Sequence, residues 1–302
     1  MTSLRKIVIC GVGLIGGSFA MALRQSEACA VEEVVGMGRS QASLDEACKL
    51  GVIDRHTKDW ADALADADLV MLAMPVGHTE AILRQLAPHL GPGTIVTDAG
   101  STKQDVVAAA RRALGDKIDR FVPGHPIAGA EKSGVAAAHA ELYRERRVVL
   151  TPLAENAPAT VDLVRNAWLA CGAQVSELTA EVHDSIFAAV SHLPHLLAFA
   201  LVHEFANRDN AGLLFDFAAG GFRDFTRIAS SHPEMWRDIC VANRAALIRE
   251  IDAYQVELMR ARVLLANADG AGLEAMFGKA RTTRNAWLEA QKTAGSQVPS
   301  PE

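Results

Sequence analysis

Several classes of protein are excluded by what this 302-residue chain lacks. It has no excess of basic residues, since 30 lysines and arginines stand against 36 aspartates and glutamates and give a formal charge of −6. We therefore expect neither nucleic acid nor an anionic membrane surface as a partner. Half of the residues are apolar and 22% are charged, which is typical of a soluble globular chain with a sizeable core.

Cysteine motifs are also missing. The five cysteines, at positions 10, 29, 48, 171 and 240, include no CxxC pair. An odd, scattered set is typical of reduced thiols rather than of a disulfide framework, so we predict a cytoplasmic protein.

No apolar run is long enough for a membrane span. The stretch 186–202 contains His192, Pro194 and His195 and falls short of the ~20 residues that a span requires. The apolar N-terminus imitates a signal peptide, but its glycines would weaken a targeting helix. We predict no membrane segment.

Strand and helix patterns alternate up to about residue 176. Short β-branched runs occur at residues 6–10, 33–37, 69–73, 94–97, 147–150 and 173–175. Helical patterns at 42–50, 79–90 and 103–114 lie between them, and a glycine follows each. This rhythm predicts an α/β domain with a doubly wound parallel sheet, over residues 1–176.

The strand signals vanish after Glu177, and helical patterns fill residues 180–206, 233–266 and 273–293. We therefore predict an all-α domain over 177–294 and a disordered tail over 295–302. A seam of apolar residues at steps of four and three would pack against another helix, either within the chain or in a homodimer. Its members are Leu247, Ile251, Tyr254, Leu258, Ala261 and Leu265.

A glycine-rich motif joins the first predicted strand to the first helix. Residues 11–16 read GVGLIG, which matches the GxGxxG fingerprint in the required strand–turn–helix context. Gly11 permits the turn, Gly13 lets the backbone approach a pyrophosphate, and Gly16 allows close packing. The helix N-terminus adds free N–H groups. The motif predicts a dinucleotide site, the alternative being a tight turn without a ligand.

The second strand lacks the carboxylate that would bind the ribose hydroxyls of NAD. It ends in Gly38, Arg39 and Ser40, which supply a cation and a hydroxyl for a 2′-phosphate. The sequence therefore favours NADP; if Arg39 is only a solvated loop residue, both cofactors would be used. The predicted cofactor contacts are Gly11, Gly13, Leu14, Ile15, Gly16, Gly38, Arg39, Ser40 and Pro75.

Two candidates for the chemistry follow later strands. Ser101 should lie at the carboxyl edge of the sheet, although it could simply cap a helix. His125 stands between Gly124 and Pro126 in a constrained loop. Because histidine titrates near neutrality, His125 is the candidate to take a hydroxyl proton as a hydride leaves the same carbon; the alternative is a histidine that only satisfies loop backbone.

The helical part carries further candidates. Pro194 should kink the helix and aim His192 and His195 differently. No second ligand cluster accompanies these histidines, so we predict no metal site. Arg223 and Arg227 stand four residues apart, and either could bind a substrate carboxylate or form a salt bridge with a neighbouring aspartate.

Together these motifs resemble the prephenate/arogenate dehydrogenase family of tyrosine biosynthesis over about residues 6–251. The matching segments are GVGLIGGS at 11–18, TDAGSTK at 97–103, GHPIAGAEKSG at 124–134, SHLPH at 191–195 and GFRDFTRIASSHPEMWRDI at 221–239. The resemblance implies a Rossmann domain followed by a helical domain that forms a homodimer. It leads us to expect neither an appended regulatory module nor a fused mutase.

The resemblance also implies roles for individual residues. His125 would bind and polarise the ring 4-hydroxyl with help from Ser101, and Arg227 would grip a substrate carboxylate. His192 and His195 would line the same pocket. Hydride would pass to the nicotinamide of NADP or NAD, and the ring carboxylate would leave as CO2.

Two other functions stay open at this stage. A β-hydroxyacid dehydrogenase would share the glycine loop and a helical second domain, but such enzymes commonly use a lysine there, and residues 180–262 contain none. A non-catalytic NADP sensor would have lost the chemistry, whereas Ser101, His125 and Arg227 are all present. The choice between arogenate and prephenate depends on a few polar contacts that these motifs do not identify.

Overall fold

The computed structural model describes residues 2–129 and 132–295, which form two compact units that divide between Leu247 and Ile248. The strands are β1 (Thr2–Ser3), β2 (Lys6–Cys10), β3 (Cys29–Ala30), β4 (Glu33–Met37), β5 (Arg55–His56), β6 (Leu69–Leu72), β7 (Ile95–Asp98), β8 (Phe121–Val122), β9 (Gly124–Pro126), β10 (Arg147–Leu150) and β11 (Gln174–Glu177). The helices of the first half are α1 (Leu14–Gln25), α2 (Gln41–Lys49), α3 (Trp60–Leu64), α4 (Thr79–Leu86), α5 (Gln104–Leu114) and α6 (Pro158–Ala170). Those that follow are α7 (Ala180–Phe187), α8 (Leu193–Ala206), α9 (Ala211–Asp216), α10 (Gly220–Thr226), α11 (Pro233–Ala242), α12 (Arg244–Ala266) and α13 (Gly270–Gly295).

The central sheet is parallel and six-stranded, in the order β5-β4-β2-β6-β7-β8. All residues of β2, β6 and β7 are buried, as expected for strands with helices on both faces. From β2 the chain first builds β4 and β5 on one side, and then β6, β7 and β8 on the other. The strand order therefore reverses between β2 and β6, where open α/β sheets bind their ligands.

The last two predicted strands of this region belong to a separate sheet. Strand β10 pairs in parallel with β11 and antiparallel with β9 in a three-stranded sheet. Pro123 lies between β8 and β9 and has no N–H to continue a ladder, so the chain leaves the central sheet there. His125 consequently lies opposite Val149 in the small sheet.

Among the described residues after Glu177 there are only helices and their connections, so the predicted α/β fold followed by a helical region is confirmed. Helices α7 and α8 are joined by a π-helical turn, Ala188–His192, and Pro194 is the second residue of α8. The whole run, Ala180–Ala206, has 27 residues and is long and apolar enough, by length and composition alone, to cross a membrane. It is longer than the stretch 186–202 because the helix begins at Ala180, and it contains three buried polar residues, His183, Asp184 and His192.

The boundary that we predict at residue 176 or 177 lies at the end of β11, inside the first compact unit. Hydrogen bonds from residues before it to residues after it tie α7 to the start of α5 and to β9. Residues 296–302 of the tail that we predict to be disordered lie outside the described residues, and Gly295 is the last residue of α13.

Candidate active site

The glycine loop turns β2 into α1 under tight steric limits. Gly11 has a φ of +97°, which side chains rarely adopt, and a Cβ there would lie 2.6 Å from the carbonyl oxygen of Ala73. A Cβ on Gly16 would lie 2.6 Å from Cγ2 of Ile9. These two glycines are therefore required by the packing of the turn itself.

Gly13 differs, because a Cβ there would meet nothing within 4 Å. It is the N-cap of α1, and the first turn of that helix contains no acidic side chain that would compete with an anion at the helix N-terminus. A cavity of about 640 Å³ adjoins Gly11 and Gly13 and extends past the ends of β4 and β6. Loop, helix terminus and cavity together fit a nicotinamide dinucleotide.

The predicted contacts contribute to this cavity unequally. Pro75 and Arg39 line it, as do Gly38 and Ser40. The side chains of Leu14 and Ile15 pack into the hydrophobic core instead, so only their backbone can face a ligand. Ser40 is also the N-cap of α2, and its hydroxyl oxygen accepts a hydrogen bond from Ser43 N at 3.2 Å.

Lys58 lines the same cavity and was missed by sequence reasoning. It and Arg39 are both exposed, and no ion pair engages either of them within residues 2–129 and 132–295. No aspartate or glutamate lies among the described residues that line the cavity. The part of the cavity that follows β4 and β5 is therefore cationic, and we call it the ribose end because the sequence predicts the ribose contacts there.

The segment around His125, which the sequence predicts as a loop, forms the short strand β9 in the structure and is held by a buried ion pair. The Lys103 ammonium lies against the Asp98 carboxylate, both side chains being almost wholly buried. Lys103 Nζ donates to the carbonyl oxygen of Gly124 at 2.7 Å, and Gly124 N donates to Asp98 Oδ1 at 3.0 Å. Both backbone groups of Gly124 are thus bound from the end of β7, which places His125 beside that strand end.

His125 is itself buried and contacts a second histidine. Its Nδ1 lies 2.8 Å from Nε2 of His183, and both rings pack against Phe187. Burial, and then the charges of His183, Lys103 and His192, hold the pKa of His125 well below its usual value. The ring is therefore neutral at physiological pH, as a general base must be.

The helical region contributes two further candidate residues, His192 and His195. His192 is buried, and Asn243 Nδ2 lies 3.1 Å from its Nδ1 and donates to the carbonyl oxygen of Asp184 at 2.8 Å. Burial lowers the pKa of His192 to about 4. The neighbouring His195 is half-buried and stacks on Trp236 with ring centroids 3.7 Å apart. The two histidines therefore differ in their hydrogen bonds, since His195 Nδ1 lies 2.9 Å from the carbonyl oxygen of Ser191, but they share Trp236, whose ring centroid is 6.2 Å from that of His192.

Arg227 is exposed and begins a short 3₁₀ helix after α10. Its charge reaches His195: burial is the main cause that lowers the pKa of His195, and Arg227 adds to it. Arg227 and His195 thus belong to one electrostatic environment.

Ser101 lies in the loop between β7 and α5 and is not a helix cap, because Lys103 occupies that position. The backbone of Ser101 forms a hydrogen bond with the buried His192. This bond raises the pKa of the His192 ring and so opposes the larger effect of burial, which lowers it. Within the described part of the chain, no hydrogen bond joins the Ser101 hydroxyl to His125.

Besides Lys58, sequence reasoning overlooked four residues that surround His125. Asp98 and Lys103 stand within the TDAGSTK motif after a buried strand, and that position could have identified them. His183 and Asp184 lie in a helix of ordinary composition. Nothing in their local sequence indicates that they meet His125.

Comparison with known proteins agrees with this geometry. Residues 19–177 match the family described as prephenate dehydrogenase, nucleotide-binding domain, and residues 179–279 match prephenate dehydrogenase, dimerization domain. The chain is 37% identical to the prephenate dehydrogenase of Bacillus subtilis over 95% of its own length and 77% of that protein's. It is 34% identical to the cyclohexadienyl dehydrogenase of Zymomonas mobilis, covering 94% of this chain and 96% of that one.

A solved structure shows the same architecture. The prephenate dehydrogenase of A. aeolicus, crystallised with hydroxyphenyl propionate and NAD+, superposes with a TM-score of 0.87 at 36% identity, covering 94% of this chain and 98% of that one. The resemblance inferred from the motifs is therefore confirmed, and the chain belongs to the prephenate dehydrogenase family.

Proposed function

We propose that the chain catalyses the oxidative decarboxylation of arogenate, prephenate or both, forming tyrosine or 4-hydroxyphenylpyruvate. The observation that carries the proposal is the buried, neutral His125, tied to the end of β7 beside a dinucleotide-shaped cavity. Because β7 neighbours β6, whose following residues line that cavity, the histidine and the cofactor site share one edge of the sheet.

Each residue has a distinct task in this proposal. The bound nicotinamide supplies the hydride acceptor. His125 takes the proton of the ring hydroxyl as the hydride leaves the same carbon. The electron pair released with CO2 then returns to the ring oxygen, which takes the proton back. Arg227 binds a substrate carboxylate, and His192, His195 and Ser101 complete the pocket.

NADP is the proposed cofactor. The exposed cations Arg39 and Lys58 beside the ribose end of the cavity favour a 2′-phosphate, and the described lining contains no carboxylate to repel it. NAD would then bind more weakly, since it lacks the phosphate that these cations contact.

We also propose a homodimer formed through the helical region. Three seam residues, Tyr254, Leu258 and Leu265, are 38%, 52% and 65% exposed, although apolar residues at this spacing normally pack against a helix. Leu258→Asp should shift the mass measured by light scattering toward the monomer, and an unchanged mass would place the interface elsewhere. We further propose that the protein is cytoplasmic and that neither nucleic acid nor a membrane is its partner.

The deciding experiment measures absorbance at 340 nm with NADP or NAD, each combined with prephenate or arogenate. No cofactor reduction in any of the four mixtures would refute the activity.

Arg39→Ala should raise KM for NADP and leave KM for NAD nearly unchanged, whereas an equal rise for both would contradict the phosphate contact. Arg227→Ala should raise KM for the organic substrate alone.

A further inference from the structure

Two buried polar residues of helix α7, His183 and Asp184, have no task in the mechanism proposed above. Both side chains are almost wholly excluded from solvent. They form a continuous chain of hydrogen bonds with the proposed base: His125 Nδ1 to His183 Nε2 at 2.8 Å, and His183 Nδ1 to Asp184 Oδ1 at 2.8 Å. Burying such groups has a cost unless every one is paired, so the arrangement needs an explanation.

Asp184 determines which atoms donate and which accept in this chain of hydrogen bonds. Although burial alone would raise the pKa of the Asp184 carboxyl, hydrogen bonds from His183 and from the backbone N–H groups of Gln104 and Lys103 lower it. Those two backbone bonds are 2.9 and 2.8 Å long. An ionised carboxylate only accepts hydrogen bonds, so His183 Nδ1 must carry a hydrogen.

The next link follows from the charge of His183. Burial lowers the pKa of this ring, so it is neutral and carries only one hydrogen. With that hydrogen on Nδ1, its Nε2 has a lone pair and accepts. His125 Nδ1 must therefore be the donor at 2.8 Å, which leaves the lone pair of His125 on Nε2.

We propose that Asp184 and His183 are positioning residues that hold His125 as its Nδ1–H tautomer, so that Nε2 is the atom that takes the substrate proton. The proposal rests on His125 being the base in the function proposed above. When Nε2 gains the proton, His125 becomes an imidazolium that still donates through Nδ1 to His183. No further proton needs to move, and the ring oxygen recovers the proton from Nε2 as CO2 leaves.

Two variants at position 183 separate positioning from packing. His183→Leu removes the acceptor for His125, so kcat should fall about 10²-fold while KM for the cofactor is unchanged. His183→Gln can place a carbonyl oxygen where Nε2 was, so its kcat should stay within about tenfold of wild type. The matched control is His89→Gln, the same substitution at an exposed histidine, which should behave as wild type.

Asp184→Asn tests the origin of the tautomer. The amide can donate to His183 Nδ1, which lets His183 carry its hydrogen on Nε2 and reverses the bond to His125. In the Ser-His-Asp triad, the corresponding aspartate-to-asparagine change costs about 10⁴-fold in kcat through the wrong histidine tautomer. We expect a loss of at least about 10²-fold here.

The tautomer is also measurable without turnover, by NMR on the full-length protein labelled with ¹⁵N-histidine and assigned with the His125→Asn variant. In wild type the hydrogen of His125 should be on Nδ1, and a hydrogen on Nε2 would overturn the proposal whether or not the variants fold. Equal loss of kcat in His183→Leu and His183→Gln would also overturn it, since packing alone would then suffice. An inactive wild type would instead refute the proposed function and leave the NMR result to decide the tautomer.

Discussion

Two segments lie at the carboxyl edge of the central sheet but are held by different forces: the loop at residues 11–16, and the second loop, which runs from the end of β8 into β9 and carries Gly124 and His125. The first is shaped by steric limits on Gly11 and Gly16. The second is bound by the buried Asp98–Lys103 pair and by His183. A turn made by glycines depends on nearby backbone, whereas a loop held by ionised side chains depends on partners far along the chain.

The largest expected effect tests whether the second loop carries the chemistry. His125→Asn should lower kcat by ~10²–10⁴-fold, because the general base is lost, while affinity for the cofactor is retained. Steady-state kinetics with cofactor binding followed by fluorescence would measure both. Near-normal turnover would remove His125 from the catalytic role.

The next effect concerns the ion pair that holds this loop. Lys103→Met leaves the Asp98 carboxylate buried and unpaired, so the free energy of unfolding should fall by about 3–5 kcal/mol in urea denaturation. The control is Arg165→Ala, which removes partly exposed ion pairs with Asp162 and Glu177 and should cost no more than about 1 kcal/mol. Similar costs for the two variants would mean that burial of the Lys103 pair contributes little.

Two glycines of the first loop offer a matched test of the steric argument. Gly11→Ala places a Cβ against the backbone of Ala73 at a positive φ and should cost at least ~1–3 kcal/mol of stability. The Cβ of Gly13→Ala has no neighbour within 4 Å among the described residues, so the thermal midpoint should match wild type while cofactor affinity falls. Equal thermal midpoints for the two variants would contradict the distinction.

The smallest effect is the pH dependence that the buried His192, in the turn between α7 and α8, should give to stability. The pKa of His192 is about 4 in the folded chain and near 6.5 when unfolded, so the unfolded state binds more protons between these values. Stability from this residue is complete above pH 7 and is lost as the pH falls, by about 1 kcal/mol between pH 7 and pH 5.5. Urea unfolding at both pH values would measure it, and His192→Gln should show a weaker dependence than wild type.

Much of the fold could be predicted from local patterns. Strands β2, β4 and β10 begin and end at the residues that their β-branched runs indicate. The sheet to which a strand belongs could not be predicted that way: β10 and β11 left the central sheet because Pro123 interrupts the ladder between β8 and β9. Strand content follows short-range composition, whereas strand pairing follows the path of the whole chain.

The candidate site divides in the same manner. The glycine loop, His125 and the pair His192 and His195 were found from their immediate neighbours. Lys58 was not, because it reaches the cofactor cavity only through the crossover that follows α2. The sequence correctly placed Ser101 after β7. It did not show that α7 packs against the start of α5, where the Asp184 carboxylate accepts hydrogen bonds from the backbone N–H groups of Lys103 and Gln104.

Residue type and spacing were enough to specify the dinucleotide turn, the α/β class and the family, because glycine conformation, hydrophobic period and short motifs act within a few residues. The state of His125 depends on Lys103, His183 and Asp184, which stand 22, 58 and 59 residues away in the chain. Desolvation and hydrogen-bond direction exist only once these groups are buried together. Tertiary packing therefore decided which atom of His125 can accept a proton, since no segment of the chain encloses that ring by itself.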